Sequence, residues 1–160
     1  MRRKISVLLA LCLLIAVFSG CGKADISAYA DEKILVTGLL EEDFYITAAD
    51  LAQMKCVSAT ADGKASQGKI QAYGPTLDTF LAEYGQDISD FKAIRFCASD
   101  DYDITIGRAS WEKYEVIFSI ANGSEPLEDY QKPMRVVMPG GKSSSCIRLV
   151  DEINFVRAGE

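Results

Sequence analysis

Lys69-Ile70-Gln71-Ala72-Tyr73-Gly74-Pro75-Thr76-Leu77-Asp78-Thr79-Phe80-Leu81-Ala82-Glu83-Tyr84-Gly85 carries the transition on which the fold turns. Its first five residues alternate as a strand, and Gly74-Pro75-Thr76 breaks the strand and opens a helix. Leu77, Phe80, Leu81 and Tyr84 then recur at i, i+3, i+4 and i+7, which predicts one apolar helical face, and Gly85 stands where a left-handed stop belongs. Upstream, Met54 to Ala61 alternates as a strand and Asp62-Gly63 is a hairpin turn. Thr47-Ala48-Ala49-Asp50 is a variant capping box opening a short helix to about Gln53. Lys33 to Leu39 and Phe44 to Ile46 read as the first two strands. Downstream come strands at Ala93 to Ala98, Tyr102 to Ile106, Glu115 to Ile120, Met134 to Met138 and Ile153 to Arg157, with a turn of helix near Ala109 to Lys113. Strands outnumber helices, so the expected class is α+β, a mixed sheet or barrel-like core with a few short helices.

The chain has 160 residues, 49% of them hydrophobic, which suits one ordinary domain with a filled core. With 23 acids against 17 bases it is no basic nucleic-acid binder, and with no histidine it has no Ser-His-Asp, Cys-His or imidazole-metal chemistry. Arg2, Arg3 and Lys4 precede an apolar run from Ile5 to Phe18 that would rise only about 21 Å as a helix, short of the ~30 Å hydrocarbon core. Residues 1–20 are therefore expected to be an export signal. Phe18-Ser19-Gly20-Cys21 resembles the lipobox of bacterial lipoproteins, which implies lipidation at Cys21, a tether over 21–32 and one domain over 33–158. The expected location is the extracytoplasmic face of a bacterial membrane, the lipid being the membrane contact. Loss of Arg2, Arg3 and Lys4 with the signal takes the formal charge from −6 to −9. Cys56, Cys97 and Cys146 remain, an odd number that permits at most one disulfide.

From Ala52 to Phe155 the order of features is similar to the molybdopterin-binding domain of the sulfite oxidase family. Met54-Lys55-Cys56-Val57 lies where that family places a cysteine ligand to molybdenum. Tyr73-Gly74-Pro75-Thr76-Leu77 opens a helix closed by Tyr84-Gly85. Ala98-Ser99-Asp100-Asp101-Tyr102 resembles a hairpin in which the family uses Gly where Asp101 stands. Asn122-Gly123-Ser124-Glu125-Pro126-Leu127 resembles its NGEPL turn and leads to Pro133-Met134-Arg135-Val136-Val137-Met138-Pro139-Gly140. Ser144-Ser145-Cys146-Ile147-Arg148-Leu149-Val150 matches its cofactor-holding Ser/Lys segment.

The resemblance implies a pterin cofactor, with Cys56 as the soft molybdenum ligand. It places Ser143, Ser144, Ser145 and Arg148 around the cofactor phosphate, with Tyr102 and Arg135 as further cleft residues. Hydroxyls, backbone N–H groups of Gly140-Gly141 and cations are the groups a phosphate needs. Two readings stand open, beside a third and least favoured one in which the chain is a structural envelope lipoprotein and the resemblance is incidental. One is a lipid-anchored molybdopterin-dependent oxidoreductase with a redox or envelope protein partner. The other is a cofactor-free module of the same fold that binds a small molecule or a partner protein. The short chain, the missing imidazole and the extra charge at Asp101 favour the second.

Overall fold

The computed structural model describes residues 24–63 and 68–159, so residues 1–20, expected to be an export signal, and Cys21 lie outside the described residues. The first half of the chain contains β1 (Lys33–Thr37), β2 (Phe44–Thr47), α1 (Ala48–Gln53), β3 (Cys56–Asp62), β4 (Lys69–Pro75) and α2 (Leu77–Glu83). Next come β5 (Phe91–Ala98), β6 (Asp103–Gly107), α3 (Arg108–Trp111) and β7 (Ile117–Ser119). The last are β8 (Ala121–Asn122), β9 (Glu125–Pro126), β10 (Arg135–Val137) and β11 (Val150–Arg157). A five-stranded sheet has the order β2-β1-β11-β5-β6, and β1 pairs with β11 in parallel while its other pairs are antiparallel. A four-stranded sheet runs β3-β4-β8-β9, and β7 and β10 form a ribbon beside it. The class is α+β with open sheets; the barrel-like alternative is corrected, because the strands of the described residues form three sheets instead of closing on themselves.

Local chemistry accounts for the helix ends. The Asp50 N–H donates to the Thr47 hydroxyl while the Asp50 carboxylate accepts from the Thr47 N–H, so the capping box forms in full. At the end of α2 the Gly85 N–H donates to the Ala82 carbonyl and the Gln86 N–H to that of Leu81, the paired bonds of a Schellman stop. Leu77, Phe80 and Leu81 are buried as their spacing predicts, and the Phe80 ring packs against Phe118 of β7 and Phe155 of β11. Among the described residues no helix is long and apolar enough to cross a membrane.

Two apolar cores result. The large one lies between the five-stranded sheet and α2 and includes Ile34, Phe80, Phe96, Phe118 and Ile153. A smaller one joins Ala61, Ile70, Ala72, Ile117 and Val137, with Val57, Ala59 and Cys146 packed on it.

The packed part of the chain includes residues before 33: of the tether expected over 21–32, the stretch around Tyr29 is folded onto the domain, and 21–23 lie outside the described residues. Tyr29 is 1% exposed, its hydroxyl donates to the Ile120 carbonyl at 2.7 Å, and the Leu127 N–H donates back to it at 2.9 Å. The small, polar residues around it conceal a side chain that spans the space between two later segments. Tyr29→Phe keeps the ring and strands a buried N–H and carbonyl, so it should cost about 1–3 kcal/mol in chemical denaturation. An unchanged midpoint would show that these bonds add nothing to stability.

Candidate functional site

β10 and the segment after the 3-10 turn Ser143–Ser145 build the site together. The Val136 N–H donates to the Ile147 carbonyl at 2.8 Å and the Ile147 N–H returns a bond at 3.2 Å, an isolated antiparallel bridge. That register sets Arg135 opposite Arg148 and Val137 opposite Cys146, all four on the face away from Val136 and Ile147. Two like charges directly opposed in a ladder repel, unless an anion lies between them.

A cavity of about 310 Å³ lies beside this bridge, and its walls include Tyr102, Arg135, Ser143, Ser144, Cys146 and Arg148. Ile70 and Ile147 supply apolar floor, and Asp100 contributes one carboxylate against the two guanidiniums. Arg135 is 8% exposed, and its Nε is a buried donor with no acceptor. Its Nη1 donates to Asn122 Oδ1 at 2.9 Å, and Asn122 Nδ2 donates to Gln131 Oε1 at 2.7 Å. The Glu128 N–H also donates to Gln131 Oε1, which pins the far end of this chain of bonds. Burial pushes the Arg135 pKa below its usual value; Cys146, Tyr130 and Glu128 oppose the shift and Arg148 adds to it. A guanidinium cannot shed its proton at any ordinary pH, so the desolvated charge favours negative groups beside it, of which Glu128 is one.

Loop anchoring explains how distant segments converge. The Ser99 N–H donates to the Leu149 carbonyl and the Leu149 N–H to the Gln131 carbonyl, tying the β5–β6 hairpin and the turn before β10 to the Arg148 segment. Leu149 is held at φ 59, a left-handed conformation that costs a non-glycine residue about 1–2 kcal/mol. Asp101 has φ 65, which explains why a glycine suits that hairpin position. Aspartate tolerates this geometry better than most residues. Arg148 stacks over the half-exposed Tyr130 ring at 5.0 Å, and Tyr102 stands 52% exposed at the cavity mouth.

Of the residues singled out from sequence, Tyr102, Arg135, Ser143, Ser144 and Arg148 share this cavity. Ser145 is half-buried in the same 3-10 turn and does not line it. Cys56 stands apart. It starts β3 opposite Pro75, whereas the cavity residue Ile70 pairs with Ala61 at the other end of the hairpin, about 17 Å along the strand at ~3.4 Å per residue. Strand parity separates them further: Val57 and Ala59 face the small core beside Cys146, and Cys56 points the other way, its thiol donating to the Leu51 carbonyl at 3.6 Å. The thiol on the cavity wall is Cys146 instead. Among the described residues no three His, Cys, Asp or Glu side chains cluster to hold a metal ion. The cavity thus fits the phosphate end of a molybdopterin, and Cys56 has no approach to a metal held there.

Sequence reasoning missed Asn122 and Gln131, which orient Arg135, and the wall residue Cys146. The Asn122-Gly123 turn was a visible signal, but a turn signal does not reveal a side chain's second task.

No family model and no curated protein matches the chain. Among solved structures it is similar to a chain in the crystal structure of the sulfane dehydrogenase SoxCD from Paracoccus pantotrophus, with a TM-score of 0.63 and 20% identity. The match covers 79% of this chain and 38% of that one. The likeness is one of fold. It agrees with the α+β, sulfite oxidase-like architecture expected from the order of motifs, over a chain that spans well under half its neighbour's length.

Proposed function

We propose that the protein is an anion-binding module on a sulfite oxidase-like molybdopterin-domain fold, carried by lipid on Cys21 at the outer face of a bacterial membrane. Its ligand is a small molecule bearing a phosphate or comparable oxyanion, seated between Arg135 and Arg148. The observation that carries this reading is the convergence of two guanidiniums, those of Arg135 and Arg148, on one cavity wall. Ser143 and Ser144 add hydroxyl donors, and charge-assisted bonds to an oxyanion are the strong kind. The negative surface elsewhere keeps the protein off nucleic acid and anionic lipid, so the cavity is the place where an anion is welcome.

Titration calorimetry of the full chain with inorganic phosphate tests this. Arg135→Gln should weaken binding by about tenfold or more, the equivalent of ~1.4 kcal/mol. Arg148→Gln, at an exposed position that does not threaten folding, should weaken it severalfold. No binding, or binding indifferent to both substitutions, overturns the proposal.

A second reading, a pterin-dependent oxidoreductase with a redox partner, draws support from the fold likeness to a dehydrogenase and from the same phosphate-type cradle. A bound pterin would supply the redox chemistry, and Arg135, Arg148, Ser143 and Ser144 would hold its anionic tail. Metal analysis of protein from its own host separates the two. The module reading expects no stoichiometric molybdenum; stoichiometric molybdenum would establish the oxidoreductase.

A further inference from the structure

Cys97 and Cys146 are both half-buried thiols, yet the balance of charge beside them differs. Cys97 pairs across the sheet with Glu152, and Asp103 and Asp151 lie near; burial and the Glu152 carboxylate push its pKa up, against Arg95, which is itself paired with Asp103. Cys146 lines the cavity with Arg135 and Arg148, and its own N–H is held to the Ser143 carbonyl at 3.3 Å. The Arg135 side chain in that wall is 8% exposed with an unpartnered Nε. The thiol thus shares one cavity wall with two guanidiniums and two hydroxyls, the groups that seat an anion.

We propose that Cys146 is a modification site selective for small disulfides that carry carboxylate or phosphate groups. The inference rests on the anion seat described above. Arg135, Arg148 and the Ser143 and Ser144 hydroxyls hold the anionic group, which brings the disulfide bond against the Cys146 sulfur. The thiolate attacks the nearer disulfide sulfur; a new S–S bond forms to Cys146 and the original S–S bond breaks. The displaced half leaves as a thiolate and takes up the proton that Cys146 gave to solvent. Cys146 is oxidised, one half of the reagent is reduced, and the disulfide is itself the oxidant. Cys97 lacks the seat, and its carboxylate neighbours repel the same reagent.

The test compares dithiobis(nitrobenzoate), a disulfide with two carboxylates, with the neutral dithiodipyridine on the full chain, each cysteine followed by peptide mass spectrometry. The anionic reagent should modify Cys146 about tenfold faster than Cys97, and Arg148→Gln should remove most of that advantage while changing the neutral reagent's rate less than about twofold. Equal rates at the two thiols with the anionic reagent, or an advantage that survives Arg148→Gln, overturns the inference. Phosphate calorimetry on the unsubstituted chain separates the causes. Phosphate bound without thiol selectivity overturns the modification site and leaves the anion seat standing; neither effect overturns both.

Discussion

Gly74→Ala should cost about 3 kcal/mol or more and leave much of the protein unfolded at 37 °C, the upper end of what overpacking costs. A methyl group on Gly74 would overlap the carbonyl oxygen of Phe118, a backbone atom that cannot swing aside as a side chain would. Neither strand is free to yield. On one side of Gly74 the Tyr73 N–H donates to Ser119 Oγ, and the Ile120 N–H donates to the Tyr73 carbonyl at 2.9 Å. On the other the Leu77 N–H donates to the Val116 carbonyl at 2.8 Å, and Thr76 bridges Ile117. The closeness of β4 to β7 is therefore built from bonds on both flanks, and Gly74 is the residue that permits it. The site feels the same change, because β7 is the partner of β10 and pairs Ser119 with Arg135. Gly85→Ala is the control: its φ is 64 but nothing lies within 4 Å of the added carbon, so only backbone strain of about 1 kcal/mol is expected. Urea denaturation of both variants distinguishes the mechanisms. Equal losses at Gly74 and Gly85 would mean that the strand contact is not the constraint.

The same contrast between local and distant causes explains what the chain's letters disclosed. The Thr47–Asp50 box, the spacing of Leu77, Phe80, Leu81 and Tyr84, and the Gly85 stop are settled within a few residues, and each is formed. The β3–β4 hairpin follows from the alternation of its two strands, but its turn is not Asp62-Gly63 as expected: Asp62 is still paired with Lys69 and the Gly63 N–H donates to the Gly68 carbonyl. The parallel pairing of β1 with β11 joins residues more than a hundred positions apart, and nothing local encodes it. Motif order placed Tyr102, Arg135, Ser143, Ser144 and Arg148 in one group, and they line one cavity. Cys56 shows the limit of such reasoning. A strand changes face with every residue, so a site assignment by motif fails to specify direction unless the register is known. Tyr29 shows another: its two hydrogen-bond partners, Ile120 and Leu127, lie about ninety positions downstream, where no periodicity could reveal them.

Phe80→Ala should remove about 3–5 kcal/mol, a large share of the ~5–15 kcal/mol that holds an ordinary domain. Phe80 is fully buried, and its ring lies 5.0 Å from those of Tyr84 and Phe118 and 6.0 Å from that of Phe155. Phe155 belongs to β11 of the five-stranded sheet and Phe118 to β7 of the ribbon, so one helical side chain joins the two layers. Truncation leaves a hole walled by aromatic rings and strand backbone, which collapse poorly, so the loss should sit at the high end for its class. Tyr84→Ala removes a half-buried ring of similar size from the edge of the same cluster and should cost less than half as much. The layers also set the site, since Phe118 pairs with Val136, the residue whose bridge to Ile147 aligns Arg135 with Arg148. In Phe80→Ala the amount of phosphate-binding protein should therefore fall with the folded fraction, while the dissociation constant of molecules that remain folded stays within about twofold, because no ligand contact is lost. A large change in that constant at full folding would mean that α2 shapes the anion seat directly, and a loss smaller than that of Tyr84→Ala would remove Phe80 from its place between the layers.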